Sequence, residues 1–281
     1  MASMKNIKLR IKSVESTMQI TRAMKLVASS RLRRAQQRVL DTRPYHQVLD
    51  ETLSEIASSN SDFDSKYLRK PTEDSKILYI VFAGDRGLAG GYNSNMFRMI
   101  EEETKGKNYC VLPVGKKAVE FCKKRGDEIF TESFPLVGEL SVSDCFEMAR
   151  LVCKGFADKE YDEIKIAGTF FVSPLSQVPR LQQLLPFEPK ECEGPRPVVL
   201  YEPDPQEVFD AIIPEYISGK IYSIMCESAA SEQGARRMAM ENASNNAAEM
   251  IESLSLTYNR ARQGAITQEI TEIVAGASGD E

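Results

Sequence analysis

The chain has 281 residues, 42% of them hydrophobic and 27% charged, and a formal net charge of −5, which is ordinary for a soluble globular protein of one large or two smaller domains. Its six cysteines (Cys110, Cys122, Cys145, Cys153, Cys192, Cys226) form no CxxC pair and, with a single histidine, speak against a zinc site; they read as reduced, buried thiols. No apolar run approaches the ~18 residues of a membrane span, and the N-terminus lacks the apolar core of a secretory signal.

The modest net charge conceals an asymmetry. Met1–Leu40 carries ten Lys/Arg against one acid, whereas Phe209–Glu281 carries five Lys/Arg against eleven acids. Two such arms attract each other when they lie side by side. The basic arm is also Arg- and Ser-rich, as a mitochondrial presequence is, but its apolar spacing runs past the usual end of one.

In chain order, residues 4–57 read as one long helix. Ile7, Ile11, Val14 and Met18 follow the 4-3 spacing of a coiled-coil seam. Ile20, Met24 and Val27 continue it after a phase shift, with Thr21, Lys25 and Ala28 as interruptions, and Leu32, Ala35, Val39, Leu49, Leu53 and Ile56 resume it. Pro44 is expected to kink or restart the helix, and His46, just after it, is expected to be exposed.

Asn60–Ser75 is polar and aperiodic and reads as a linker. Ile77–Phe82 then reads as a strand buried on both faces, running into Gly84-Asp85-Arg86-Gly87-Leu88-Ala89-Gly90-Gly91 and a helix from Asn93 or Ser94 to about Thr104. Tyr109–Val114 is a second strand, Lys116–Arg125 a helix, Ile129–Phe134 a short strand, Ser143–Ala157 a serine-capped helix and Glu163–Val172 a third long strand. A proline-rich passage from Pro174 to Pro205 contains Val198–Tyr201 as a last strand. Strands alternating with short helices predict an α/β domain over residues 75–205.

From Pro205 or Pro214 the final helix begins, and no proline follows Pro214. A helix from Glu215 to Ala275 is about 90 Å long, several times an ordinary one. Ile213, Ile217, Ile221 and Ile224 open its apolar stripe and Ile251, Leu254, Tyr258, Ala261 and Ala265 extend it, with small and polar residues between. Two helices that are far apart in sequence and complementary in charge are expected to pair antiparallel. The fold class is therefore α/β: a long antiparallel coiled coil of the N-terminal helix (1–58) and the C-terminal helix (209–281), with an inserted Rossmann-like α/β domain (75–205) and a protruding C-terminal tip.

Candidate chemistry is sparse. The glycine turn lacks the GxxxxGK[ST] of a phosphate loop, and its spacing is not GxGxxG, so a tight structural turn is expected and no cofactor. His46 supports no catalytic triad. Basic stripes at Lys5, Lys8, Arg10 and Lys12 and at Arg31, Arg33, Arg34 and Arg38 lack aromatic residues and face competition from the acidic arm, so no nucleic acid is expected. The strongest polar cluster runs from Arg260 to Gln268, where Arg262, Gln263 and Thr267 share a strip suited to a partner's carboxylates. An α/β nucleotide enzyme with helical arms and a self-associating coiled-coil scaffold are the competing readings.

Three blocks carry a resemblance to a known family: Ile11–Thr17 with Gln19–Ala28; Asp85–Gly91; and Ser231–Met240 with Tyr258–Val274. They resemble the gamma subunits of bacterial F-type ATP synthases, and the likeness runs end to end. Many relatives carry a cysteine where Ala89 stands, and the paired cysteines of the chloroplast type are missing, so no thiol regulation of that kind is implied. The resemblance implies a non-catalytic rotor that couples ion-driven rotation of a membrane c-ring to conformational change in catalytic beta subunits. The implied partners are the alpha and beta subunits, the epsilon subunit and the c-ring. It implies one copy per complex, no metal or cofactor, and a peripheral place on the cytoplasmic face of the cell membrane. By the family pattern, Met24, Lys25, Arg262, Gln263 and Thr267 contact the alpha/beta ring.

Overall fold

The computed structural model describes residues 4–59, 65–71, 75–189 and 201–277. Two long helices, α1 (Met4–Ser59) and α5 (Pro205–Ala277), enclose in sequence β1 (Ile77–Phe82), α2 (Tyr92–Glu103), β2 (Tyr109–Val114), α3 (Lys116–Arg125), α4 (Val142–Ala157), β3 (Glu163–Ser173) and β4 (Ser176–Leu185). The fold is the expected one, a long N-terminal helix packed with a long C-terminal helix around an inserted α/β domain. By packing it divides into two compact units, Ser29–Arg236 and Met1–Ala28 with Arg237–Glu281.

In the unit Ser29–Arg236 the sheet order is β2-β1-β3-β4, with β1 parallel to β2 and β3, and β4 antiparallel on the edge. All six residues of β1 are buried because both faces are covered. Ile77, Tyr79 and Val81 pack with Met96 and Ile100 of α2 and Cys122 of α3. Leu78, Ile80 and Phe82 belong to a second cluster with Met148, Val152 and Phe156 of α4, Leu53 and Ile56 of α1, and Phe209, Ile213, Ile217 and Ile221 of α5. The long helices thus form one layer of the α/β domain. At the end of β2, Gly115 has φ 99°, and a Cβ there would meet Ala83 O at 2.1 Å, so only glycine fits.

Several boundaries differ from the sequence reading. β4 lies within the passage read as proline-rich loop; Pro179 interrupts its pattern but is tolerated on an edge strand. Ile129–Phe134 is not a strand, since only Ile129 forms a bridge, to Val111. Of the strand expected at Val198–Tyr201, residues 198–200 lie outside the described residues, and Tyr201 belongs to no strand. Helix α4 starts at Val142, because Ser141 and Asp144 form a reciprocal capping box. Helix α5 starts at Pro205, where Asp204 Oδ1 accepts the Gln206 and Glu207 N–H groups at 2.9 and 3.0 Å. Pro44 neither breaks nor restarts α1. Pro44 and Leu40 both lie on the exposed face, where water can take the carbonyl that the proline leaves unbonded.

The seam of α1 needs no phase shift. In the unit Met1–Ala28, Ile7, Ile11, Val14, Met18, Thr21, Lys25 and Ala28 are buried or half-buried, as is Met24 beside Lys25. In the unit Ser29–Arg236 they continue at Leu32, Ala35, Val39, Thr42, His46, Leu49, Leu53 and Ile56. This is an unbroken 4-3 repeat in which Thr21, Lys25 and Ala28 are members, not interruptions. Ile20 and Val27, read as seam, are instead 58% and 54% exposed. On α5 the buried or half-buried series Met240, Ser244, Ala247, Ile251, Leu254, Tyr258 and Ala261 has the same spacing, and Ala265, expected to extend it, is exposed.

His46 is a seam residue and is buried, with 8% exposure, contrary to the expectation of a solvated position. It fits because α5 presents Gly219, where a Cβ would meet the imidazole Cε1 at 2.8 Å. Among the described residues neither ring nitrogen has a hydrogen-bond partner. Burial first, and then the Lys220 ammonium, lower its pKa to about 4, opposed by Asp50, which pairs with Lys220 at 2.9 Å. The unfolded chain, with a value near 6.5, takes up this proton before the folded chain does. The stability contribution of His46 is therefore intact above pH about 6.5 and is lost as the pH falls toward 4. Guanidinium unfolding of the full-length chain and of His46→Asn between pH 7 and 5 should show a steeper loss in the native sequence; parallel profiles would contradict a buried neutral imidazole.

Candidate functional site

The strand order puts a topological switch point beside β1: the chain crosses from β2, on one side of it, to β3 on the other. In open α/β sheets this crevice is where ligands bind. Here the chain fills it. Gly84 N–H donates to Asn93 Oδ1 at 2.9 Å rather than to a ligand. The Asp85 carboxylate accepts the backbone N–H groups of Lys116, Val137 and Gly138 at 3.1, 3.0 and 2.9 Å. Those are the groups that a phosphate would need. The Glu232 carboxyl of α5 lies over Gly84, 3.1 Å from where a Cβ would stand, and Arg236 ties Glu232 at 2.6 Å to Gly87 O at 3.3 Å. The glycine turn is a structural turn, closed by two carboxylates that would repel an anion.

Among the described residues no three His, Cys, Asp or Glu side chains are grouped to hold a metal, and no helix is long and apolar enough to cross a membrane. Cys110, Cys122, Cys145, Cys153 and Cys226 are buried and free, and burial pushes the first four up to about 11 or 12, which makes them poor nucleophiles. Cys192 lies outside the described residues.

The remaining candidate surface belongs to the unit Met1–Ala28 with Arg237–Glu281. Its register is fixed by Thr21 opposite Ser244 and Lys25 opposite Glu241: four residues forward on α1 are three back on α5, so the helices run antiparallel. Lys25 Nζ pairs with Glu241 Oε1 at 2.8 Å, and this bond lowers the Glu241 pKa. The pair is the basic arm meeting the acidic arm, half-exposed and therefore worth little in stability. Lys25 faces α5, and Met24 beside it is half-buried.

At Thr21 and Ser244 two hydroxyl protons serve three contacts. Thr21 Oγ1 is 3.0 Å from Met18 O, Ser244 Oγ is 2.8 Å from Met240 O, and the hydroxyls are 2.7 Å apart. One hydroxyl must therefore donate to the other and release its own helix carbonyl, and either can do so.

Arg262, Gln263 and Thr267 are all exposed; Thr267 Oγ1 donates only to its own helix, at Gln263 O, 2.9 Å. They do not join Met24 and Lys25. Lys25 lies opposite Glu241, 21 residues before Arg262, so the two groups are about 30 Å apart along the shaft. The sequence reading missed the apolar residues beside each group. Ile20, Leu26 and Val27 flank the first at 58%, 71% and 54% exposure, and Ile266, Ile270, Ile273 and Val274 follow the second at 46–65%. The signal was their spacing against the unbroken seam: none falls on it.

Comparison with known proteins gives one answer. The family described as ATP synthase matches residues 3–279. The ATP synthase gamma chain of Ruminococcus albus is 45% identical, covering 100% of this chain and 99% of its own. The gamma chain of Acetobacterium woodii, named sodium ion specific, is 40% identical over 98% of each chain. Among solved structures, a chain of the Euglena gracilis mitochondrial ATP synthase (OSCP, catalytic sector and c-ring) superposes with a TM-score of 0.67 at 19% identity, covering 98% of this chain and 94% of that one. A chain of the Tetrahymena thermophila mitochondrial ATP synthase central stalk and c-ring gives 0.62 at 23% identity, covering 80% and 99%. At those identities the structures establish the fold.

Two substitutions check the local geometry. Asp85→Ala strips three backbone donors of a charged acceptor and should cost about 2–3 kcal/mol, read as a lower denaturation midpoint. Thr21→Val should cost less than about 1 kcal/mol despite breaking a buried bond, because the Ser244 proton passes to Met240 O and no donor is stranded. A larger loss on Thr21→Val would mean that the hydroxyl pair is held in one fixed arrangement.

Proposed function

The chain belongs to the ATP synthase gamma family, and we propose that, as the non-catalytic central-stalk rotor subunit of that complex, it transmits torque between a membrane c-ring and catalytic beta subunits. The observation that carries this reading is the grading of α5. Its first part is built into the α/β domain, its middle is paired with α1 along a mixed seam of Met240, Ser244, Ala247, Ile251 and Leu254, and residues 262–274 are all exposed. A helix paired along one stretch and exposed over residues 262–274 is suited to turning inside a sleeve.

In this reading the helical segments 1–58 and 209–281 are the shaft and residues 75–205 the foot, which sits with the epsilon subunit against the c-ring. One copy stands among three alpha and three beta subunits. A single asymmetric shaft touches each beta subunit differently, and only such differential contact can shift the nucleotide affinities of three equivalent sites. The relatives' name, ATP synthase gamma chain, and the central stalk and c-ring named for the Tetrahymena structure support the assignment. The closed crevice disfavours a nucleotide enzyme. The complex would lie at the cytoplasmic face of the cell membrane, with this subunit peripheral.

Arg262, Gln263 and Thr267 are proposed to meet the ring near the tip, Arg262 through a partner carboxylate. Met24 and Lys25 are proposed to meet a beta subunit lower on the shaft, and the exposed Ile20, Leu26 and Val27 give that contact an apolar flank. Because Lys25 also pairs with Glu241, a partner carboxylate would share or replace that bond.

The test is Arg262→Ala with Gln263→Ala in the assembled complex. Ion-driven ATP synthesis should fall several-fold while co-purification of the alpha, beta and epsilon subunits persists. Unchanged synthesis in a fully assembled complex would remove the tip assignment, and failure of those subunits to co-purify with the native chain would remove the reading as a whole.

A further inference from the structure

Pairing of β1 with β3 stops at Val81 with Ala167, so the next backbone groups of β3 on that side have no strand to bond. An unpaired buried backbone group is costly and must find a partner. It finds α5. Thr169 N–H donates to Ser228 Oγ at 3.1 Å, Thr169 O accepts from Ser231 Oγ at 3.0 Å, and Phe171 N–H donates to Glu227 Oε2 at 2.9 Å. Three side chains from two successive turns of the helix thus take the place of the missing strand. Ser228 and Ser231 are 1% and 0% exposed, and Glu227 is 8% exposed. Gly168 permits the approach: a Cβ there would stand 2.2 Å from Ile224 Cγ2 and 3.1 Å from Ser228 Oγ.

We infer that Glu227, Ser228 and Ser231 are positioning residues of the rotor, forming the joint that fixes the rotational angle of α5 against the α/β domain. Apolar packing alone would not do this as well. The contacts of Ile213, Ile217, Ile221 and Ile224 hold the helix to the sheet, but they are non-directional, and a small roll of the helix exchanges one methyl contact for another. Hydrogen bonds weaken steeply as they bend. Bonds to both the N–H and the C=O of Thr169, with a third two residues on, hold only at one angle of roll. These residues are buried and so do not touch the ring; their effect on coupling can pass only through the helix they hold.

The inference rests on the torque-transmitting reading, and its test separates the two. In the assembled complex, with the catalytic ring immobilised and rotation stalled, the angular fluctuation of a probe on the α/β domain is followed for the native chain and for Ser228→Ala with Ser231→Ala. The variant should assemble, and ATP hydrolysis by the detached catalytic sector should stay at the native rate. The angular spread should widen, and ATP-driven ion transport per ATP hydrolysed should fall. Amide exchange at Thr169 should accelerate about five-fold, the change expected on losing a hydrogen bond of average strength. If the double variant does not assemble, Glu227→Ala gives the same readouts at Phe171, and Glu227→Gln, which keeps an acceptor, should restore the native spread. Faster exchange with an unchanged spread would overturn the inference by making these bonds merely stabilising, and unchanged exchange would overturn the geometry itself. Because the spread is read with rotation stalled, it reports on the joint whether or not Arg262 and Gln263 carry torque.

Discussion

Most of a helix's stability in a protein comes from the packing of its faces, and the structure depends on how a helix of 73 residues is packed along its length. Three different supports are used in succession. Near its start, α5 is a buried layer of an α/β domain, with Phe209, Ile213, Ile217 and Ile221 at 0% exposure. In the unit Met1–Ala28 with Arg237–Glu281 it is held by one partner helix across a seam that mixes aliphatic residues with Thr21, Ser244 and Ala247. Over residues 262–274 it is exposed. The chemistry changes along it too: aliphatic side chains line the first part, Ser244 and Ala247 interrupt them in the seam before Ile251 and Leu254, and Ile266, Ile270 and Ile273 face solvent.

The polar middle of the seam has a physical consequence. Aliphatic knobs interlock in one register, whereas in the Thr21–Ser244 pair either hydroxyl can donate to the other. Lys25 with Glu241 is a charged pair at the seam's edge, near a third exposed on both sides, which water can share. Such contacts set register through specificity more than through depth of attraction. The deep attraction sits instead where α1 and α5 cover the sheet, at Leu53, Ile56, Phe209 and Ile213. There the packing is apolar and β3 is bonded to the helix directly.

How legible this was in the sequence differed by element. The parallel strands were plain because burial on both faces leaves an uninterrupted apolar run, as in Ile77–Phe82, and α3 was bounded by Gly115 and Gly126. The strand β4 was not, since an edge strand with one exposed face alternates Gln, Arg and Ser with Val and Leu and tolerates Pro179. The seam was misread where hydropathy and geometry disagree: Ile20 and Val27 are more apolar than Thr21 and Lys25, yet spacing, not hydropathy, decides which face is covered. His46 was read as exposed because it follows Pro44, whereas its burial is set by Gly219 of α5. Of the candidate contacts, the exposed strip Arg262, Gln263 and Thr267 was visible as a polar cluster, while the apolar residues flanking both groups emerged only once the seam was known.

The α/β domain also illustrates why a fold does not carry a function with it. Its strand order, its glycine turn after β1 and the parallel neighbours on either side would mark a nucleotide site in many proteins of this architecture. Each feature is present and each is occupied internally. Asp85 takes backbone N–H groups that a phosphate would need, Asn93 takes the Gly84 N–H, and Glu232 with Arg236 fills the space above the turn. An exposed site of this kind binds and releases a ligand, and its energy is available only while the ligand is present. Filling it with side chains of the same chain makes that interaction permanent and intramolecular, with no association entropy to offset. The crevice that elsewhere holds a cofactor here holds a helix, and a binding fold has become an anchorage for a shaft.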